Sequence, residues 1–142
     1  MTLTSAARAL LDSAAHAHLV TIGPDGAPRI AVVWVGLEGE EIVAAHLSAD
    51  QQKLHNIRRD PRVALSIESE RLSPIGLREY LVVHGHARVT EGGAPQLLQR
   101  LAHTYLGPDV TFPPFENPPA GFVTRITIDR VGGNGQWTEP DT

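Results

Sequence analysis

The apolar positions of this chain come in short runs separated by turn residues, and their spacing changes along it. At the N-terminus, MTLTSAARALLDSAAHAHLV sets Leu3, Ala7, Leu10 and Leu11 near one stripe, which predicts a short amphipathic helix. The next stretch, HLVTIGPDGAPRIAVVWVGLEGEEIVAAHLS, holds three strand-like runs. Pro24-Asp25-Gly26 and Glu38-Gly39 punctuate them, since glycine supplies the positive φ that tight connections need. Strands are expected near 17–23, 28–37 and 41–47, a helix near 49–59, and further strands near 62–69 and 79–90. Pro74 and Gly76 predict a mobile connection over 70–79. APQLLQRLAHTYLG reads as an amphipathic helix with Leu97, Leu98, Leu101 and Tyr105 inward and Gly107 as its stop. A proline-rich loop then leads to a last strand, FVTRITIDRVGG. With neither repeat nor linker visible, one domain over 1–142 is expected.

Antiparallel sheets usually alternate, because one face is wet. IAVVWV (30–35) and IVAAHL (42–47) do not alternate, so both of their faces are expected to be covered. One face can pack on a barrel core; the other needs a helix, a ligand or a second subunit. The pattern therefore predicts a mainly β protein with flanking helices, a small antiparallel barrel that forms a homodimer.

Composition narrows the function. The 142 residues carry a formal net charge of −4 and no cysteine, which argues against a general nucleic-acid binder and removes disulfide and thiolate chemistry. Aromatic residues make up 5%, too few for a nucleic-acid stacking platform. No apolar run approaches the roughly 20 residues of a membrane span, and the N-terminus does not read as a signal peptide, so a cytoplasmic protein is expected.

Against that acidic background, positive charge gathers in HLSADQQKLHNIRRDPRVALSI, between two apolar strands. Ser48 and Gln51 match a capping box at the start of the predicted helix. A helix start favours an anion, and helical side chains lean toward that end, so the Lys53 ammonium is expected to reach it. Asn56 falls one turn further along, while Leu54 and Ile57 suit a buried face. The plain alternative is a solvated lysine, with Arg58, Arg59 and Arg62 complementing the helix C-terminus.

The run KLHNIRRDPRVALSI, preceded by two apolar strands and an initial helix, resembles the pyridoxamine-phosphate-oxidase-like split β-barrel family. Within it the chain is similar to the flavin/deazaflavin oxidoreductases of the B group, which use coenzyme F-420. DGAPRIAVVWV, YLVVHGHARVTE and the closing RVGGNGQW extend the resemblance over nearly the whole chain. It implies that a cofactor phosphate lies against His46, Leu47, Ser48, Gln51, Gln52, Lys53 and Asn56. It implies also that the ring system lies along Val32, Val33 and Trp34, and that Gln136 and Trp137 cover a site across a dimer interface. Two positions depart from the family: Gln51 stands where relatives often carry arginine, and Ala31-Val32 replaces a common Thr-Pro pair. The first removes a phosphate-binding cation, for which Arg29, Arg58 or Arg59 are candidate substitutes.

Other chemistry is less well supported. His84 and His86 share one strand face but have no third ligand nearby, so no metal site is expected. Ser48, Ser66 and Ser73 have no triad setting, and no catalytic side chain is assigned. GGNGQW follows a strand and opens no helix, so Gly132 and Gly133 are read as bulge residues rather than a dinucleotide fingerprint. The resemblance makes the chain a coenzyme F-420-dependent oxidoreductase that passes a hydride to an electron-poor double bond of a small molecule. An FMN-binding flavoprotein of the same fold is the alternative. A non-catalytic flavin, deazaflavin or haem carrier is another, with His46, His84 or His86 as axial ligand.

Overall fold

Leu19, Leu65, Ile67, Leu81, Val83, Ile126 and Ile128 fall at alternate positions of their strands and meet in one buried cluster. The computed structural model describes residues 2–137 and arranges them around that cluster. In chain order the elements are α1 (Ser5–Leu11), β1 (Ala17–Ile22), β2 (Pro28–Val33), β3 (Gly36–Glu38), β4 (Glu41–His46) and α2 (Gln52–Arg59). They continue with β5 (Arg62–Leu72), β6 (Arg78–Glu91), α3 (Ala94–Tyr105) and β7 (Phe122–Asn134). The strands form a single sheet in the order β2-β1-β5-β6-β7-β4-β3, and every pairing is antiparallel. The chain is thus mainly antiparallel β with three helices among the described residues. No helix of these residues is long and apolar enough to cross a membrane.

The two strands that lack alternation are covered differently. β4 is closed on its second side by α3: Val43 packs with Leu97 and Leu101. β2 has no such cover, and Ile30 and Val32 remain 71% and 57% exposed. It is an edge strand, hydrogen-bonded to β1 alone.

Four expectations are corrected. The run 28–37 is broken, with β2 paired to β1 and β3 paired to β4. Between them Val35 donates its N–H to the Tyr105 hydroxyl at 3.0 Å, and Gly36 passes so close beneath α3 that a Cβ would lie 2.9 Å from Leu101. Segment 70–79 is a hairpin end: β5 runs to Leu72, β6 starts at Arg78, and the turn closes with Ser73 N–H on Leu77 O at 2.6 Å. The helix predicted from 49 starts at Gln52, and no capping box forms, because the Ser48 hydroxyl accepts from Asp50 N instead. Finally, Gly132 and Gly133 pair regularly with Val82 and Leu81.

The bulge lies where Gly85 pairs with Ile128 while His84 pairs with Arg130, leaving Asp129 as the extra residue. A Cβ on Gly85 would sit 2.2 Å from Thr127 O. Backbone on a central strand cannot retreat cheaply, so Gly85→Ala should lower stability by more than about 2 kcal/mol. Urea denaturation checks this; a midpoint within error of the parent would refute the close approach.

Candidate functional site

The first turn of α2 is the centre of the site, and buried polar bonds fix where it sits. Asn56 is fully buried; it donates to Thr21 Oγ1 at 3.0 Å and accepts from Gln52 Nε2 at 2.7 Å. Arg59 donates to Ile22 O and to Asn56 Oδ1. Leu54 and Ile57 are buried on the same helix. These contacts dock α2 against β1 and leave Lys53 half-buried beside the β4 end.

Around Lys53 a cleft of about 410 Å³ opens. Its walls are Val32, Val33 and Trp34 on one side, and His46, Leu47 and Ser48 at the end of β4. Gln51 and Lys53 also border an adjoining groove of about 330 Å³, whose rim includes Arg29, Gln52 and Asn56. Ten of the sequence-predicted residues therefore meet along one continuous depression. Within it the amide of Asn56 is already engaged by Thr21 and Gln52. Gln136 and Trp137 are elsewhere: they border a separate cavity between α1 and the β5–β6 hairpin. Trp137 is buried in its own chain and donates Nε1–H to Tyr80 O at 2.6 Å.

Leu98, Leu101 and Phe112 complete the cleft. Leu98 was expected to face inward from α3, but nothing in the proline-rich loop marked Phe112. Trp34 is held by stacking on Tyr105, with ring centroids 5.2 Å apart, and by Phe112 at 5.4 Å.

The electrostatics single out Lys53, the one lysine in the chain. The arginines considered as substitutes are committed: Arg29 pairs with Asp25, Arg58 lies over the Phe122 ring, and Arg59 binds Ile22 O. Arg62 pairs with Asp60. Among the described residues bordering the cleft, Lys53 is the cation with no such partner. Burial holds its ammonium below the usual lysine value, so a bound anion would relieve an existing cost. The first turn of α2 has neither an acidic residue nor a side-chain cap, leaving its leading N–H groups open to an acceptor. A phosphate finds a cation, a helix start, the Gln51 amide and the Ser48 hydroxyl here. A flat ring finds the apolar side chains and free backbone edge of β2. The residues present fit a phosphate-bearing flavin or deazaflavin.

His46 is 4% exposed, with Nε2 2.8 Å from Thr124 Oγ1. Burial first, and then the Lys53 charge, push its pKa down to about 4. His84 and His86 stand exposed on β6, His86 paired with Asp129, and neither joins His46. Among the described residues no group of three His, Cys, Asp or Glu side chains could hold a metal ion.

Comparison with known proteins agrees with this architecture. The family described as pyridoxamine 5'-phosphate oxidase matches residues 3–134, and the chain belongs to that family. A solved F420 reductase is 25% identical, with 88% of this chain and 94% of that one covered and a TM-score of 0.68. The conserved hypothetical protein Rv2991 from Mycobacterium tuberculosis is 24% identical, covering 94% and 86%, with a TM-score of 0.70. An FMN-binding protein from Syntrophomonas wolfei has the same fold at 15% identity, covering 92% and 84%, with a TM-score of 0.65. No curated protein matches.

The depressed pKa of His46 has a signed consequence. The folded chain keeps the imidazole neutral down to about pH 4, whereas the unfolded chain takes up a proton near the ordinary value of 6.5. The unfolded state therefore binds more protons in that window, and stability falls as pH drops through it, by about 3 kcal/mol in all. Urea midpoints measured from pH 7 to pH 4 should show this decline, and His46→Gln should flatten it. An equal decline in both proteins would exclude His46 as its source.

Proposed function

We propose that the chain is a cytoplasmic oxidoreductase that binds the deazaflavin coenzyme F-420 in this cleft and reduces an electron-poor double bond, such as that of an enone. The observation that carries the reading is Lys53: an unpaired, half-buried cation at an uncapped helix start, beside an apolar edge strand. Membership of the family supports a flavin-type cofactor, and the likeness to an F420 reductase favours a deazaflavin. Lys53, Gln51 and Ser48 hold the phosphate, and β2 supports the ring along Val32, Val33 and Trp34. When bound and reduced, the coenzyme supplies the hydride. The protein binds and orients it, and Trp34, Leu98 and Phe112 keep the cleft wall apolar. No side chain acts as a nucleophile. His46 stays neutral beside the phosphate site.

FMN is the second reading, because an FMN-binding protein shares the fold and FMN carries a phosphate that the same Lys53 site would take. Fluorescence titration with coenzyme F-420 and with FMN separates them. Micromolar F-420 binding with much weaker FMN binding is expected; the reverse preference would make the chain a flavoprotein, and binding of neither would sink both readings. Charge-assisted bonds contribute roughly 1.5–3 kcal/mol, so Lys53→Ala should weaken binding about 10- to 100-fold without unfolding the chain. Gln51→Arg should strengthen it, since the added guanidinium faces the same phosphate. Unchanged affinity in Lys53→Ala would remove the lysine from the site.

We propose further that the uncovered side of β2 meets a second copy. Ile30 and Val32 are the apolar residues that a partner would bury. Sedimentation velocity should give twice the chain mass, and Ile30→Glu should return a monomer. A monomeric parent protein would overturn the dimer.

A further inference from the structure

His46 borders the cleft yet contributes almost nothing to the surface, and its ring makes one hydrogen bond, through Nε2 to Thr124. Among the described residues no buried side-chain nitrogen or oxygen lacks a partner. Nδ1 has no hydrogen-bond partner among the described residues, so it reaches accessible surface, and the cleft is an open space that His46 borders. Thr124 decides which nitrogen carries the proton. It is fully buried on β7, and His46 Nε2 is the partner of its hydroxyl oxygen. With the proton on Nε2, the ring would donate to Oγ1 and the threonine hydrogen would be buried without an acceptor. With the proton on Nδ1, the threonine hydroxyl donates to Nε2 and every group is satisfied.

We infer that Thr124 holds His46 in the Nδ1–H tautomer, and that this N–H is offered into the cleft as an uncharged hydrogen-bond donor to an acceptor oxygen of the bound ligand. His46 is then a positioning residue beside Lys53. The inference rests on the reading that the cleft binds a phosphate-bearing coenzyme, and it adds what that reading leaves open. Lys53 supplies charge, which attracts any anion from any direction; the imidazole N–H supplies direction without a second charge. The neighbouring ammonium is the charged group facing the ring, and together with burial it keeps the imidazole unprotonated at neutral pH. An imidazolium would donate from both nitrogens and break the bond from Thr124.

Tautomers are read without any ligand. Long-range proton–nitrogen correlation spectra of protein labelled with ¹⁵N-histidine should show one imidazole, removed by His46→Asn, with a protonated Nδ1 and a bare Nε2. Thr124→Val deletes the hydroxyl that donates to Nε2, so its spectrum should move toward the Nε2–H form. A protonated Nε2 in the parent protein would overturn the inference. So would an unchanged Nδ1–H pattern in Thr124→Val, which would show that Thr124 does not set it.

Binding tests the donor. The asparagine amide nitrogen stands near the place of Nδ1, so His46→Asn should bind coenzyme F-420 within about threefold of the parent, whereas His46→Leu should lose about tenfold. Equal affinity of the leucine variant and the parent would exclude a donor role. Running both variants with inorganic phosphate separates the two acceptor oxygens: a parallel loss places the N–H on the phosphate, and a loss confined to the coenzyme places it on the ring system. If the parent binds neither coenzyme F-420 nor FMN, the proposed function falls, while the nitrogen spectra still decide the tautomer.

Discussion

The site depends on one buried amide. Asn56 has no exposed surface, and its donor and acceptor are satisfied by Thr21 on β1 and Gln52 on its own helix. A polar side chain at that depth is stable only while those bonds are made, so it sets a single docking position for α2. Leu54 and Ile57 supply the apolar area that holds the helix down, but apolar contact alone tolerates sliding and rotation. The Asn56–Thr21 bond does not. Because α2 has eight residues, fixing its middle also fixes its first turn, and with it the position of Lys53.

Charge around the cleft is arranged to leave Lys53 as the available cation among the described residues that border it. Arg8, Arg29, Arg62, Arg71, Arg88 and Arg125 are each matched to a carboxylate. Most of those pairs are exposed and contribute little to stability, but they neutralise side chains that would otherwise attract anions elsewhere. Net acidity and a specific anion site are compatible for this reason. The unpaired charge is local, half-buried and beside a helix start.

Much of this could be read from the residues. Order and type of the regular elements followed from periodicity and turn chemistry, because alternating Leu, Ile and Val positions on β5, β6 and β7 do build the core. The departures have physical causes in distant parts of the chain. The break at Trp34-Val35 is made by Tyr105, 70 positions away, which takes the Val35 N–H, and by Leu101, which leaves no room at Gly36. The hairpin end at 70–79 lacks an apolar alternation because its side chains are mostly exposed, so cross-strand backbone bonds, the Ser73 hydroxyl accepting from Leu77 N and the Arg71–Glu79 pair form it. Ser48 and Gln51 had the right types and spacing for a capping box, but the loop gives the serine hydroxyl a nearer donor in Asp50. In the site, residues close in sequence to Lys53 were legible as a group. Phe112 was not, since only the fold carries the proline-rich loop back to Trp34. Trp137 was expected to cover a site across a dimer interface, whereas the structure buries it in its own chain with its indole N–H on Tyr80 O.

The edge strand β2 has two uses for one row of residues. Val32 faces the cleft, and Ile30 and Val32 form the uncovered apolar strip of the sheet margin. Whatever covers that strip also shapes a wall of the cleft. Thermodynamic linkage then requires the two events to be reciprocal: if self-association tightens the cleft for a ligand by some factor, saturation with that ligand must tighten self-association by the same factor. Dilution would then act as an antagonist of the coenzyme, with no competing molecule present.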